Sequence, residues 1–286
     1  MLLDGREVVQ SEVEKLKQIV KEGTKSVVIQ VGDNSASTVY VNNKIKLGAE
    51  LGIECVKYQL PKTISEEELL VIIDTLNTSD NVHGILVQLP LPNHINPDKI
   101  AESIVWYKDV DCFNPINVGR VMLGTGEINP CTPQGIFTIL KHYGLDDVKG
   151  KRVIIVGRSN IVGKPLANMF INRGATVVSC NSNTPFSDIV GLAYGCDILI
   201  SAVGKANFFN RESMRVEEYG DYICPIGIDV GMNRDSDGKL CGDISRDIYD
   251  CFKFITPVPN GVGRTTVLEL MRNIIKCKEI MDNEKI

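Results

Sequence analysis

The sequence predicts an α/β protein of two domains, and three observations point there. The chain has 286 residues, 43% of them hydrophobic, enough for two cores of the usual domain size, about 100 to 200 residues each. Helix-period and strand-like runs alternate in both halves, the pattern of largely parallel sheets with right-handed crossovers. A helix carrying Tyr40 and Lys44 comes early, whereas a glycine loop, Gly157-Arg-Ser-Asn-Ile-Val-Gly163, comes late. The pair and the loop therefore belong to different domains.

Taken in order, residues 12–22 read as helix, 26–31 as a short β-rich strand, 37–51 as helix and 55–60 as strand. Ser65-Glu-Glu-Glu68 has the form of a capping box opening a helix toward Asn77. Gly84-Ile-Leu-Val-Gln-Leu89 reads as a buried strand closed by Pro90 and Pro92. Residues 106–131 are loop-rich, and Pro133 starts a helix over 135–143 that connects the domains. The second unit then runs as strand 152–156, helix 164–172 and strands 175–179 and 197–201, the βαβ rhythm of a dinucleotide fold. Strands at 227–231 and 254–256 follow, and a helix over 266–281 returns to the first domain. The expected division is 1–132 plus 266–286 for the first domain and 133–265 for a Rossmann-like second.

A net charge of −5 argues against a nucleic-acid footprint and for a small-molecule partner. No basic start with an apolar core and no apolar run of membrane length is present, so a cytoplasmic protein is expected. Nine cysteines without a Cys-x-x-Cys pair, and three histidines, suggest free structural thiols rather than a disulfide frame or a metal site.

At the end of the strand finishing with Val156, a tight turn must aim backbone N–H groups at an anion before the next helix, and Gly157 and Gly163 allow the close approach. Ser159 stands where the middle glycine of the usual fingerprint would be. An ordinary strand-to-helix turn remains open. The following strand ends Cys180-Asn-Ser-Asn-Thr184, with no carboxylate to bind a ribose hydroxyl or repel a 2′-phosphate. Arg158 and Ser182 offer a guanidinium fork and a hydroxyl for that phosphate, which favours NADP over NAD. A solvated arginine is the other reading.

Lys44 shares a helix stripe with Tyr40, Leu47 and Leu51, where desolvation favours the neutral amine that proton transfer needs. On spacing alone, a lysine snorkelling from an amphipathic helix is the stronger reading. Short-chain dehydrogenases also carry Tyr-x-x-x-Lys, but there the glycine loop opens the chain. Gln88, inside an apolar strand, must find partners or cost about 1–3 kcal/mol. Lys108-Asp-Val-Asp111 puts two carboxylates on one side if extended, for ligand contact or as surface charge and caps. Thr256-Pro-Val-Pro-Asn-Gly-Val-Gly263 reads as a rigid close-approach turn or a connector.

Together these segments resemble the bifunctional methylenetetrahydrofolate dehydrogenase/cyclohydrolase family, in its order and over nearly the whole chain. The resemblance rests on Tyr40-Val-x-x-Lys44, Gly84-Ile-Leu-Val-Gln-Leu-Pro-Leu-Pro92, Lys108-Asp-Val-Asp111, Pro130-Cys-Thr-Pro133, Gly157-Arg-Ser-x-Ile-Val-Gly163 and Ile255-Thr-Pro-Val-Pro259. It implies oxidation of 5,10-methylenetetrahydrofolate by NADP and hydrolysis of the methenyl product to 10-formyltetrahydrofolate, in one cleft between domains of a homodimer. By the same resemblance Lys44 handles the proton of hydrolysis, Gln88 orients it, and Tyr40 stacks on the folate. Asp111 binds the pterin, Pro259 and Gly261 contact substrate, and Gly157, Arg158, Ser159, Gly163 and Ser182 hold NADP. Two other readings are a dehydrogenase without hydrolysis and a binding paralogue without turnover. The chain departs from the family at Asn181 for His, at Cys112 for Gly, and in Pro259-Asn-Gly-Val-Gly-Arg264 for Pro-Gly-Gly-Val-Gly-Pro. Asn260 is expected to keep a glycine-like positive φ, and Arg264 to add charge and flexibility beside the substrate.

Overall fold

The computed structural model describes residues 1–284, and the side chains of all of these except Ser35, Ala36 and Glu284. Its contacts divide the chain into two units. One joins Ser11–Cys131 to the chain from Val267 onward and carries Lys44; the other joins Met1–Gln10 to Thr132–Thr266 and carries the glycine loop. The first ten residues thus group with the glycine-loop unit rather than with the first domain. The cause is local: Leu3 N–H donates to Ile255 O (2.8 Å) and Gly5 N–H to Asn260 O (2.7 Å).

Helix α1 (Gly5–Lys17) starts and ends earlier than the sequence suggests. Its stripe of Val8, Val13 and Leu16 is buried, while Ile19 stays 52% exposed, so apolar burial stops at Leu16 and the helix with it. The Lys44 unit then builds β1 (Lys25–Val31), α2 (Ser35–Leu51), β2 (Glu54–Leu60), α3 (Glu66–Asn77) and β3 (Gly84–Val87). Its three strands are all parallel, in the order β2-β1-β3. The capping box is present, with Ser65 Oγ accepting from Glu68 N and Glu68 answering at Ser65 N. Leu69, Ile73 and Leu76 of α3 pack with Val27, Ile29 and Ile85 in one core.

Two short helices interrupt the stretch expected to be loop or left unassigned. These are α4 (Pro97–Ser103) and α5 (Pro115–Leu123), each with asparagine as N-cap and proline at its first turn. The Asn-Pro pairs are start signals that the coarse sequence reading passed over.

In the glycine-loop unit, α6 (Cys131–His142) leads to β4 (Arg152–Val156), α7 (Gly163–Asn172), β5 (Thr176–Cys180), α8 (Phe186–Ala193) and β6 (Ile198–Ser201). The short α9 (Val216–Tyr219), β7 (Cys224–Asp229), the small ribbon β8 (Asn233–Arg234) with β9 (Leu240–Cys241), a 3-10 turn at Arg246–Cys251 and β10 (Phe252–Ile255) follow. The main sheet is parallel, in the order β10-β7-β6-β4-β5. Its core includes Ile154, Leu199, Phe209 and Ile248. Helix α10 (Val262–Glu284) closes the chain, and its buried Asn273 binds Val110 O (2.8 Å) and Asn129 O (2.7 Å) of the Lys44 unit. That is the return of the C-terminal helix. No helix among the described residues is long and apolar enough to cross a membrane.

Candidate active site

Strand β3 ends at Val87, so Gln88 is the first residue beyond the sheet rather than inside the strand. Its backbone N–H still donates to Ile29 O (2.8 Å), which holds the side chain at the carboxyl end of the sheet. Gln88 Nε2 donates to Leu89 O (2.8 Å), leaving Oε1 to accept from Lys44 Nζ (3.0 Å). Lys44 itself is 8% exposed, so it is not a snorkelling surface lysine. Tyr40, one turn back on the same face, is half-buried, and burial pushes its hydroxyl up.

The segment from Lys108 to Asp111 runs parallel beside β3, with Ile85 paired to Asp109 and Ile85 N–H donating to Lys108 O (2.8 Å). Two residues later Asp111 shares a pocket lining with Val87 and Leu89. Burial pushes the Asp111 carboxyl up, while the Lys44 ammonium and the Cys131 thiol pull it down. The two carboxylates do not act together. Asp109 turns into its own loop, accepting from Phe113 N (3.2 Å), Asn114 N (2.8 Å) and Asn117 Nδ2 (2.9 Å). Burial nevertheless raises it to about 6. Lys108, 1% exposed, caps α3 through Leu76 O, Asn77 O and Ser79 O at 3.0, 2.7 and 2.7 Å.

Cys131 was missed as a neighbour of this site, although it lies in the quoted Pro130-Cys-Thr-Pro133 string. Its Sγ lies 3.4 Å from Val110 O and 3.8 Å from Asp111 Oδ1, and Asn273 Nδ2 donates to it at 3.5 Å. A polar residue amid the apolar run of α10 was the available signal. Cys112, where the family has glycine, sits at φ 64° with its side chain 2% exposed.

In the other unit, β4 is the strand from which the chain steps to β5 on one side and to β6 on the other. Such switch points are where open parallel sheets bind ligands, outside the carboxyl ends of the strands. Gly157 follows β4 directly at φ 118°, and a Cβ there would lie 2.2 Å from Ala202 O. A Cβ on Gly163 would lie 2.0 Å from Gly157 O. Both glycines are therefore required by the packing of the turn itself, a tighter reason than approach of a phosphate. Ser159 Oγ accepts from Val162 N (3.2 Å) and Gly163 N (3.5 Å), closing the turn that leads into α7. Its hydroxyl serves the turn.

The register pairs Val156 with Cys180, so Arg158 and Ser182, each two residues further on, leave the sheet at the same end. Both are exposed, and no acidic side chain stands among Asn181, Ser182 and Asn183. This strand, glycine turn and helix fit a dinucleotide, and the charge at the β5 end fits a 2′-phosphate. The facing wall is fixed by Asp243, also missed from sequence. Its Oδ2 accepts from Ser201 Oγ (2.9 Å), Val203 N (2.7 Å) and Gly204 N (3.2 Å), and its Oδ1 from Lys205 N (3.0 Å) and Asn233 Nδ2 (2.9 Å).

Pro259 and Gly261 lie in the loop between β10 and α10, the first exposed and the second buried. Val258-Pro259 and Leu89-Pro90 are cis. Asn260 takes φ 81°, the glycine-like conformation expected of it. Its Oδ1 accepts from Arg264 Nε (3.3 Å) and Nη2 (3.2 Å), so the two departures in this loop hold each other and Arg264 is tethered rather than loose.

Comparison with known proteins agrees with both halves. Residues 3–111 match the model of the tetrahydrofolate dehydrogenase/cyclohydrolase catalytic domain, and residues 130–282 that of the family's NAD(P)-binding domain. The chain is 43% identical over 285 residues to the bifunctional protein FolD of Listeria innocua, covering 96% of each. The crystal structure of the bifunctional FolD enzyme from Campylobacter jejuni superimposes with a TM-score of 0.90 at 42% identity, over 98% of this chain and 99% of that one. The Trypanosoma brucei FolD, solved with NADP and an inhibitor, gives 0.90 at 31% identity, over 99% and 98%. With both family models matched and relatives this similar along nearly its full length, the chain belongs to the tetrahydrofolate dehydrogenase/cyclohydrolase family.

Proposed function

We propose that the protein oxidises 5,10-methylenetetrahydrofolate with NADP and hydrolyses the methenyl product to 10-formyltetrahydrofolate. The observation that carries this reading is the buried Lys44–Gln88 pair at 3.0 Å beside Asp111, in a chain 43% identical to a bifunctional relative. In this reading the Lys44 unit holds the folate and the glycine-loop unit holds NADP on Gly157, Arg158, Gly163 and Ser182.

Bound NADP supplies the acceptor for the hydride that leaves the methylene carbon. Asp111 receives the N–H edge of the pterin, and Tyr40 lies along the folate rings. For hydrolysis, water adds its oxygen to the cationic methenyl carbon while Lys44 Nζ takes its proton. Lys44 returns that proton to N5 as the bond from the carbon to N5 breaks, and the hydroxyl formed on the carbon releases its own proton to become the oxygen of the formyl group, which stays on N10. Gln88 Oε1 holds the lysine in place, because its Nε2 is committed to Leu89 O.

The test is to mix the protein with 5,10-methylenetetrahydrofolate and either NADP or NAD, following reduced cofactor, methenyl compound and 10-formyl product separately. Both products with NADP preferred are expected. Methenyl compound decaying only at its uncatalysed rate would instead indicate the dehydrogenase alone. A cytoplasmic homodimer is part of the same reading, and light scattering should give twice the chain mass.

A further inference from the structure

Among the described residues, the Asp111 carboxylate has a single hydrogen-bond donor, the Cys131 thiol, 3.8 Å from Oδ1. Asp109, in contrast, is held by three donors of its own loop. A thiol is a weak donor, and Val110 O lies nearer to the same Sγ, at 3.4 Å. One S–H serves one acceptor at a time, so whatever directs it decides whether Asp111 is held.

Asn273 of α10 supplies that direction. It is 6% exposed, and its Nδ2 reaches Val110 O at 2.8 Å, Asn129 O at 2.7 Å and Cys131 Sγ at 3.5 Å. Val110 is the residue before Asp111, and Asn129 stands two residues before Cys131. One amide therefore joins the segment that carries the carboxylate to the segment that carries the thiol. Val110 O already accepts from this amide, and a carboxylate is the stronger acceptor, so the S–H turns to Asp111 Oδ1. Donation from Nδ2 to Sγ polarises the thiol in the same sense, since bonds in such a chain strengthen one another.

We propose that Asn273 is a positioning residue for the pterin-binding carboxylate, holding Cys131 so that its thiol donates to Asp111, an inference that rests on the function proposed above. Lys44 of α2 faces Asp111 as its cation, and Asp109, Cys112 and Cys131 face it as acids. Glu269, one turn before Asn273 on α10, stands near Cys131. Burial favours the neutral acid at Asp111, while Lys44 and the thiol oppose it. Loss of the thiol bond therefore raises the pH at which Asp111 ionises, and the acid limb of kcat/KM moves to higher pH with it.

The test is the pH dependence of kcat/KM for oxidation of 5,10-methylenetetrahydrofolate, with NADP affinity measured by equilibrium binding alongside. The wild-type protein is compared with Cys131→Ala, Asn273→Ala, Asn273→Leu and the Asn273→Ala, Cys131→Ala double variant. Asn273→Ala admits water to the two carbonyls and Asn273→Leu keeps the volume, so failure of one to fold leaves the other to decide. Each single variant is expected to move the acid limb up by about half a pH unit, the share a weak thiol donor can hold. That is about a threefold fall in kcat/KM on the limb, with NADP affinity unchanged. The double variant should match Cys131→Ala alone, because Asn273 acts through the thiol. An unmoved limb in the Asn273 variants, with only the urea midpoint lowered, makes Asn273 a structural brace and overturns the proposal. Shifts that add in the double variant overturn it as well. Absence of turnover in the wild-type protein overturns the proposed function together with it.

Discussion

Lys44 shows how little a single residue's spacing decides and how much its surroundings do. Spacing left a surface lysine as the stronger reading; burial to 8% exposure and the bond to Gln88 reverse it. Lys44→Met is expected to lower hydrolysis by at least about 100-fold, the range of a lost proton-transfer group, while NADP still binds. Hydrolysis at the wild-type rate in that variant would remove Lys44 from the mechanism. Asn260 is the converse case, a residue whose conformation was legible because few side chains tolerate its φ of 81°. Asn260→Gly should leave the urea midpoint nearly unchanged, whereas Asn260→Val should cost about 1–2 kcal/mol through left-handed strain. Equal loss in both would mean that the bond to Arg264, not the backbone, is what Asn260 contributes.

Among the elements, those with a strong periodic face or a capping box, such as α3 and the strands of both sheets, were read to within a few residues. Short helices α4 and α5 were not, because seven and nine residues carry too little periodicity to stand out from loop. Lys108 gives the element-scale prediction. It sits in a string read for its carboxylates, yet its ammonium closes the carboxyl end of α3 through three carbonyls. Lys108→Met would strand those carbonyls in a buried setting, each unsatisfied group costing about 1–3 kcal/mol. A fall in unfolding free energy of about 3 kcal/mol or more is expected from urea titration, and a loss below about 1 kcal/mol would show that water replaces the ammonium.

At the scale of the whole molecule, the nine cysteines are all free, as their spacing suggested, and they differ sharply in setting. Burial pushes Cys131 and Cys277 well up, and Cys55 to about 11. Cys241 is half-buried in the small β8–β9 ribbon. Brief alkylation of the native protein followed by mass spectrometry should therefore mark Cys241 first and leave Cys131 and Cys277 until unfolding. Early marking of Cys131 would show that the wall behind Asp111 opens readily. The sequence by itself determined the α/β class, the two-part order and the family, because these rest on periodicity, caps and long contiguous strings. It raised the expectation that Arg158 and Ser182 serve one phosphate, and the strand register puts both at the same end of the sheet. Only the tertiary structure separated Asp109 from Asp111, brought Cys131 and Asn273 to the site, and gave Asp243 its five donors. It also changed the reason for Gly157 and Gly163 from an expected ligand to their own backbone neighbours. The contacts of Asn273 and Asp243, and of Gly157 with Ala202, join residues far apart in the chain, and no local pattern records a distance that only the packed sheets set.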